Sequence, residues 1–434
     1  MSIANEIKIE INNSYSQVIG LTPQLFSGLR KVLSYQPNAH SAHFSGGFVR
    51  TNYLIDKKGF FPTGLLSKVK SHFIALGFTP QYLDKRTRPM PMQPHILLGA
   101  TPYKWQLEAV EAAIKRGQGT ISATTGSGKS LVIALLAARL NLRTLVVCPS
   151  LEIKAQLKEG LKGLKDVTVE NIDSKALNTA KGYDVLIIDE AHHTASRTYQ
   201  KLNAKAWTGI YYRFMLTATP FRNVEHEQLL FLGIAGQIVY KLDYKDAVSQ
   251  NFIVPIEAYY IESPKIVASG YTWHQVYNEI VVNNEARNEL ISLLLLRLNS
   301  AGIATLCLVK EIEHGQNLAN TTGLAFAHGQ DEESRQYIRQ FNDGGIKALI
   351  GTTGILGEGV DTRPTEYVII AGLGKAKSAF MQQVGRCVRN YPGKESAKVI
   401  LILDKSHKWS KAHFNAQKSI LLDEYGVVPI KLEL

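Results

Sequence analysis

From residue 142 onward, short apolar runs recur between stretches in which apolar residues fall every three or four positions. Leu142–Cys148, Asp184–Ile188 and Phe214–Leu216 are rich in Val, Ile and Leu and do not alternate with polar residues. Runs of that kind predict strands buried on both faces of a parallel sheet. A second series follows at Thr305–Val309, Lys347–Gly351, Tyr367–Ala371 and Val399–Leu403. Helical patterns such as Ser130–Leu140, Glu285–Asn299 and Glu332–Phe341 lie between members of the two series. Two successive blocks of alternating strand and helix predict two doubly wound α/β domains in tandem. The closely spaced prolines of Arg88-Pro89-Met90-Pro91-Met92-Gln93-Pro94 favour extended backbone and read as a semi-rigid linker that sets off the segment before them. With the junction of the blocks placed near Pro255–Pro264, the expected domains are 1–92, 93–258 and 259–434. A length of 434 residues gives the same prior of three, at about 150 residues per domain.

Composition narrows the class. Hydrophobic residues make up 45% and charged residues 20% of the chain, too apolar for disorder as its main state. The longest apolar runs, Leu131–Leu140 and Ile291–Leu298, are too short to span a membrane, and Met1–Glu10 lacks the pattern of a secretory signal. Cys148, Cys307 and Cys387 stand far apart with no CxxC pair, so zinc is not expected, and a reducing cytoplasm is the simple reading. Net charge is +12, and residues 1–92 hold 11 Lys and Arg against 4 Asp and Glu, +7 of that total. Such an excess points to a polyanion or to a solubilising surface.

The strongest chemical signal is Ala123-Thr124-Thr125-Gly126-Ser127-Gly128-Lys129-Ser130. A polyphosphate needs several convergent backbone N–H groups and no side chain blocking their approach. Thr125, Gly126, Ser127 and Gly128 supply that, and a helix beginning at Lys129 adds its positive end. Lys129 reaches the terminal phosphates and the Ser130 hydroxyl is a magnesium ligand in such loops, although Ala123 stands where the general pattern has Gly. Sixty residues beyond Lys129, Asp189-Glu190-Ala191-His192 follows an apolar strand. A strand end places carboxylates in the crevice where such sheets bind ligands. Asp189 suits the metal shell, and Glu190 suits polarisation of the attacking water. The expected cofactors are ATP and Mg2+.

Together these motifs resemble helicase superfamily 2, whose core is two tandem RecA-like domains. Thr217-Ala218-Thr219-Pro220 resembles motif III, which implies coupling between hydrolysis and nucleic-acid contact through Thr217 and Thr219. Val147-Cys148-Pro149-Ser150 resembles motif Ia, which implies backbone contacts at Pro149 and Ser150. Trp105-Gln106 resembles the Q motif, in which the amide of Gln106 would pair with adenine. Tyr103, where an arginine-containing pattern is usual, either stacks on the base or is a core aromatic. Gly351-Thr352-Thr353-Gly354 leads into Glu358-Gly359-Val360-Asp361, similar to motif V. That similarity implies strand contacts at Thr352 and Thr353 and nucleotide contacts at Gly359 and Asp361. Gln382–Arg389 resembles motif VI, and on a helix Arg386 and Arg389 would share one face and act as arginine fingers. The resemblance implies that one nucleotide bridges Lys129 and the paired arginines, and that closure and opening move the protein along a strand. No convincing motif Ib is present at Asn171–Ser174.

Residues 44–66 resemble the leading domain of the phage UvsW-type helicases, which implies ATP-dependent action on branched or forked DNA: branch migration, fork reversal, junction unwinding. Lys57, Lys58, Arg86 and Arg88, with Lys68, Lys70 and Lys85, are then candidate duplex contacts. The basic, aromatic stretch Lys405–Lys418 either grips DNA or packs as a final helix. Two other readings stay open: an RNA helicase, and a duplex-binding scaffold whose ATP site only switches affinity. A monomer is the default expectation.

Overall fold

The computed structural model describes residues 7–36, 50–97, 99, 101–220, 225–357, 362, 364–372 and 374–433. Contacts divide the chain into two compact units. One holds residues 1–123 and 128–242, and the other holds 243–434 together with 124–127.

The first unit carries two sheets. Its larger sheet is six-stranded and wholly parallel, in the order Ile238–Leu242, Gln118–Ala123, Tyr212–Thr217, Val185–Ile188, Thr144–Cys148, Val167–Asn171. The apolar runs in the sequence are its central strands, buried along their whole length. Helix Lys104–Arg116 ends at Gly117, whose φ of 76° is left-handed, and the chain turns directly into the first strand of this sheet. The smaller, N-terminal sheet is mixed: Lys8–Ile11 pairs antiparallel with Tyr15–Ile19 and parallel with Gln81–Asp84. Ile9, Val18, Leu29, Phe61, Val69 and Phe73 fill its core.

That core is not closed on itself. Leu229 of helix Glu225–Ala235, an element of the larger domain, is buried within it. A Cβ at Gly64 would lie 2.7 Å from the Gly233 carbonyl oxygen, so the two backbones touch where only glycine fits. Arg213, 1% exposed in the central strand Tyr212–Thr217, donates to Ser14 Oγ (3.1 Å), to the Trp207 carbonyl (3.0 Å) and to Asn203 Oδ1. Burial pulls its guanidinium down to about 10. The proline stretch is likewise docked and does not act as a spacer. Arg88 donates to Tyr212 Oη (3.0 Å) and to the Ile114 carbonyl (3.0 Å), and Tyr212 Oη donates to the Pro89 carbonyl (3.2 Å). The Met92 and His95 N–H groups bond the carbonyls of Leu140 and Ala138. The segment 1–92 is therefore built into the first α/β domain.

The second unit carries a seven-stranded sheet, parallel at each pairing, with Thr305–Val309 central between Ala348–Thr352 and Tyr367–Ile370. All four strands expected from the second series are present. Helix Glu285–Ser300 begins where predicted, at Glu285, capped by Asn284, whose side chain accepts the Arg287 N–H. The strand Ile256–Glu262 pairs along its whole length with Ala397–Leu403. A boundary at 258 would cut this strand in half, and the break between compact units falls at Leu242–Asp243 instead. Two parallel-sheet domains and a small N-terminal α/β region are thus present as expected. Pro255–Pro264 reads in sequence as the junction because the pairing partner of strand Ile256–Glu262 lies some 140 residues downstream.

Candidate active site

The loop Thr124–Gly128 follows the first strand of the larger sheet and leads into helix Lys129–Leu140. Gly126 (φ 81°) and Gly128 (φ 93°) are both left-handed, conformations in which a side chain would be strained. Thr124, Thr125 and Ser127 are buried, and Ser127 Oγ donates to the Thr124 carbonyl at 2.7 Å. The loop is held by its own hydrogen bonds, with the N-terminal turn of an apolar helix behind it. Lys129 donates to the Ala123 carbonyl at 3.2 Å, and Ser130 is exposed on the first helical turn.

Gln106 is 1% exposed, and its amide braces this loop. Oε1 accepts the Tyr103 N–H (2.8 Å) and Nε2 donates to the Gly128 carbonyl (3.0 Å). The first bond closes the N-terminal turn of helix Lys104–Arg116, and the second holds the end of the phosphate loop. A Cβ at Gly128 would sit 2.8 Å from that Nε2. Tyr103 is 44% exposed, which removes the core-aromatic alternative.

Asp189 and Glu190 stand at the end of strand Val185–Ile188. Asp189 is 8% exposed and accepts the Glu190 N–H at 3.0 Å. Glu190 is left-handed (φ 45°), an uncommon conformation for a side chain of its size, retained where surrounding structure imposes it. Burial pushes the Glu190 carboxyl up. The hydrogen bond from His192 and the charges of Lys129, His192 and His193 outweigh that and hold it down at about 2. His192 Nδ1 lies 3.3 Å from Glu190 Oε2 and 3.3 Å from Thr217 Oγ1, which in turn accepts the Thr219 N–H at 3.1 Å. One imidazole thus joins the acidic turn to the end of strand Tyr212–Thr217. His192, the last residue of the acidic motif, makes that link.

Other expected residues are placed differently. Ser150 Oγ is the N-cap of helix Leu151–Gly160 and accepts the Ile153 N–H, with Pro149 half-buried before it. Thr352 is buried at a strand end, leaving Thr353 as the accessible hydroxyl of that pair. Gly359 and Asp361 lie outside the described residues. Arg86 is spent on Asp84 in a two-pronged pair and Arg88 on Tyr212 and Ile114. Both guanidinium groups thus have acceptors within the fold, Arg86 partly buried and Arg88 exposed, because a planar five-donor group finds carbonyl and carboxylate partners readily. Lys57, Lys58, Lys68 and Lys70 are exposed, and Lys85 pairs with Glu10 at 2.6 Å.

The expectation that Arg386 and Arg389 share a helical face does not hold. Helix Lys377–Val384 ends with Gly385, Arg386 lies in a turn and is buried, and Arg389 forms an isolated bridge with Ile253. The Val254 N–H donates to the Val388 carbonyl at 2.9 Å, pulling this segment into extended backbone. Lys394 fastens its other side. Its ammonium donates to the carbonyls of Thr365 (2.5 Å), Arg389 (3.1 Å) and Cys387. A lysine after a Pro-Gly turn reads in sequence as solvated, so Lys394 carried no signal. The three cysteines are buried, and burial pushes each thiol up to about 12. No group of three metal-ligating side chains occurs among the described residues, and no helix among them is long and apolar enough to cross a membrane.

The type III restriction enzyme res subunit family matches residues 100–178 and 167–222, and the helicase conserved C-terminal domain matches 286–391. The DNA 3'-5' translocase XPB2 of Sulfurisphaera tokodaii is 24% identical over 349 residues, 66% of this chain and 78% of the relative. The ATP-dependent DNA helicase uvsW of Enterobacteria phage T4 is 19% identical, with 96% of this chain and 94% of the relative aligned. The chain spans 60–65% of the length of three further helicases it matches. In fold it is similar to a fragment of a putative HsdR subunit of a type I restriction enzyme from Vibrio vulnificus, with a TM-score of 0.59, 16% identity, and 79% of this chain and 69% of that one covered.

Proposed function

The chain belongs to helicase superfamily 2, and from that premise we propose that it is an ATP-driven DNA helicase or translocase acting on branched or forked DNA. The observation that carries the ATPase reading is the Glu190 carboxylate, kept charged beside Lys129 and oriented by His192. A carboxylate so placed can orient a water and draw its proton as the water attacks the γ-phosphate. The N–H groups of Gly126, Ser127 and Gly128 would cradle the phosphates, with Lys129 on the terminal pair. Ser130 and Asp189 are hard oxygen donors, a fitting set for a magnesium ion that takes most of its other ligands from phosphate and water. Such an ion supplies positive charge to the phosphate oxygens. Arg386 and Arg389 would neutralise charge developing on the transferred phosphoryl group. The His192–Thr217–Thr219 chain is the route by which the acidic turn would feel the strand-contacting loops.

DNA is supported by a likeness to a phage DNA helicase that runs through the N-terminal segment as well as the motor. ATPase stimulation by forked DNA, linear duplex, single strands and RNA tests this reading. Forked DNA should stimulate most; equal or greater stimulation by RNA would establish the RNA helicase instead. Junction processing that survives Lys129→Ala would favour the scaffold.

Two further outcomes follow from the geometry. Lys57→Ala with Lys58→Ala should weaken duplex binding and shrink the slope of log affinity against log salt by about 1–2, since each phosphate contact contributes about 0.9. Arg88→Ala should leave that slope unchanged and lower the melting temperature.

Lys394 gives a pH signature. Burial first, then the charges of Arg389 and Lys398, lower it from 10.5 to about 8, against Cys387 and Glu366, which raise it. Above that pH the neutral amine has two N–H groups for three carbonyls, so turnover should fall as pH rises through about 8. On this group's account stability runs the other way. The unfolded chain binds more protons between about 8 and 10.5, so stability grows across that window. Lys394→Arg, which does not titrate there, should lack the alkaline fall; a wild-type profile flat across the window would remove the effect.

A further inference from the structure

Between strand Ile256–Glu262 and the short helix Trp273–Tyr277 runs a loop that none of the motifs accounts for. Val267 and Tyr271 on it are each 95% exposed. A lone exposed aromatic means little. Here the backbone that carries it is tied down. Glu279 accepts the Ser269 N–H (2.6 Å), the Ser269 hydroxyl (2.9 Å) and the Gly270 N–H (3.3 Å). Gln275 Oε1 accepts the N–H groups of Tyr271 and Thr272 and the Thr272 hydroxyl, each at 3.1 Å. A Cβ at Gly270 would stand 2.6 Å from Gln275 Cβ and 2.9 Å from the Val276 nitrogen, so the loop lies flat on the helix with no room to shift inward. The Ile266 N–H bonds Ser406 Oγ at 3.1 Å and fixes the other end.

The tyrosine is therefore displayed by its scaffold. Next along the chain, Trp273 packs edge-on against Tyr277, Trp409 and His413, a firm aromatic base for the loop. The ground around that base is basic. His413 lies in the field of Lys375 and Lys310. From Lys405 to Leu422 the sequence has four lysines and no acidic residue. Of the nearby carboxylates, Glu279 is occupied by the loop and Glu311 pairs with Lys310 at 3.2 Å.

We propose that Tyr271 is a stacking post for an unpaired base of a nucleic-acid strand whose phosphates are met by Lys375 and Lys408. This subsite rests on the reading of the chain as a nucleic-acid-dependent motor. A tyrosine face accepts any base, while the lysines need only a phosphate, a combination suited to a strand held without regard to sequence.

The test is binding of a fluorescein-labelled oligothymidylate, measured by anisotropy alongside ATPase activity with and without that strand. Tyr271→Ala should weaken binding by about 5–150-fold, the range for loss of one base–aromatic stack. Tyr271→Phe should bind like the wild type, and both should keep the wild-type ATPase rate in the absence of nucleic acid. Glu279→Ala, which frees the loop but keeps the ring, should also lose affinity. Equal loss in Tyr271→Phe and Tyr271→Ala would overturn stacking. A stimulated wild type beside a Tyr271→Ala variant of unchanged affinity would overturn this inference alone, as expected if the loop instead meets a protein. A wild type whose ATPase ignores every nucleic acid would overturn the proposed function and this subsite with it.

Discussion

Glu190→Gln should lower ATP turnover by about 10²–10⁴-fold, the contribution of a positioned general base, while nucleotide binding persists. The amide preserves the shape of the side chain and its place in the left-handed turn, so the fold should survive. What it removes is the negative charge that His192 and Lys129 hold in place. Steady-state hydrolysis beside binding of a fluorescent ATP analogue checks the prediction: turnover within a few-fold of wild type would remove Glu190 from the chemistry. The same substitution has a stability signature. The wild-type acid sits at about 2 against an ordinary 4.5, so its contribution is full above the ordinary value and is lost as pH falls toward 2. Glu190→Gln should therefore flatten that part of the acid-unfolding curve. Lys129→Ala removes the phosphate contact together with one of the charges that hold the carboxylate down, so it should lower turnover and also weaken the acid-stability signature.

Deleting residues 1–92 should not release a working motor. The cut would leave Arg213, buried in the central strand, without Ser14, and would expose Leu229, which now lies within the N-terminal core. Arg213 would keep the Trp207 carbonyl and Asn203 but lose one of its three acceptors, a cost of about 1–3 kcal/mol, to which the exposed apolar core adds. The expected product is insoluble or unfolded at 37 °C, as measured by soluble yield and by circular dichroism; a soluble, cooperatively folding 93–434 fragment would contradict this docking. Gly64→Ala probes the same seam with one methyl group. Its Cβ would meet the carbonyls of Leu232 and Gly233, and backbone cannot yield as a flexible side chain does. The cost should be about 1–3 kcal/mol, read as a lowered denaturation midpoint with unchanged activity per folded molecule.

Features whose physics is local were legible in the sequence. Strands such as Val185–Ile188 and Thr305–Val309 are apolar throughout because both faces are covered, and that pattern is written residue by residue. The phosphate loop was legible because left-handed backbone at Gly126 and Gly128 calls for glycine at that spacing. The acidic turn was legible because a short carboxylate pair after an apolar strand has few other uses. His192 could be suspected of orienting its neighbours, but not of bonding Thr217, since nothing in the intervening residues announces that the two strand ends are adjacent.

Sequence alone determined two parallel-sheet domains, the loop between the first strand and its helix, and the acid pair sixty residues on. Tertiary structure alone decided what each cation does. Arg86 and Arg88 read as candidate duplex contacts beside Lys57 and Lys58, and Arg213 and Lys394 carried no signal, yet those four are bound to acceptors within the fold while Lys57 and Lys58 stay in solvent. It also decided that the helix before Arg386 stops at Val384 and that the first 92 residues share a core with the domain after them. The reason is energetic. Backbone conformation and apolar burial follow from neighbours a few positions away. The free energy of placing a charge depends on whether carbonyls and carboxylates from distant segments arrive around it.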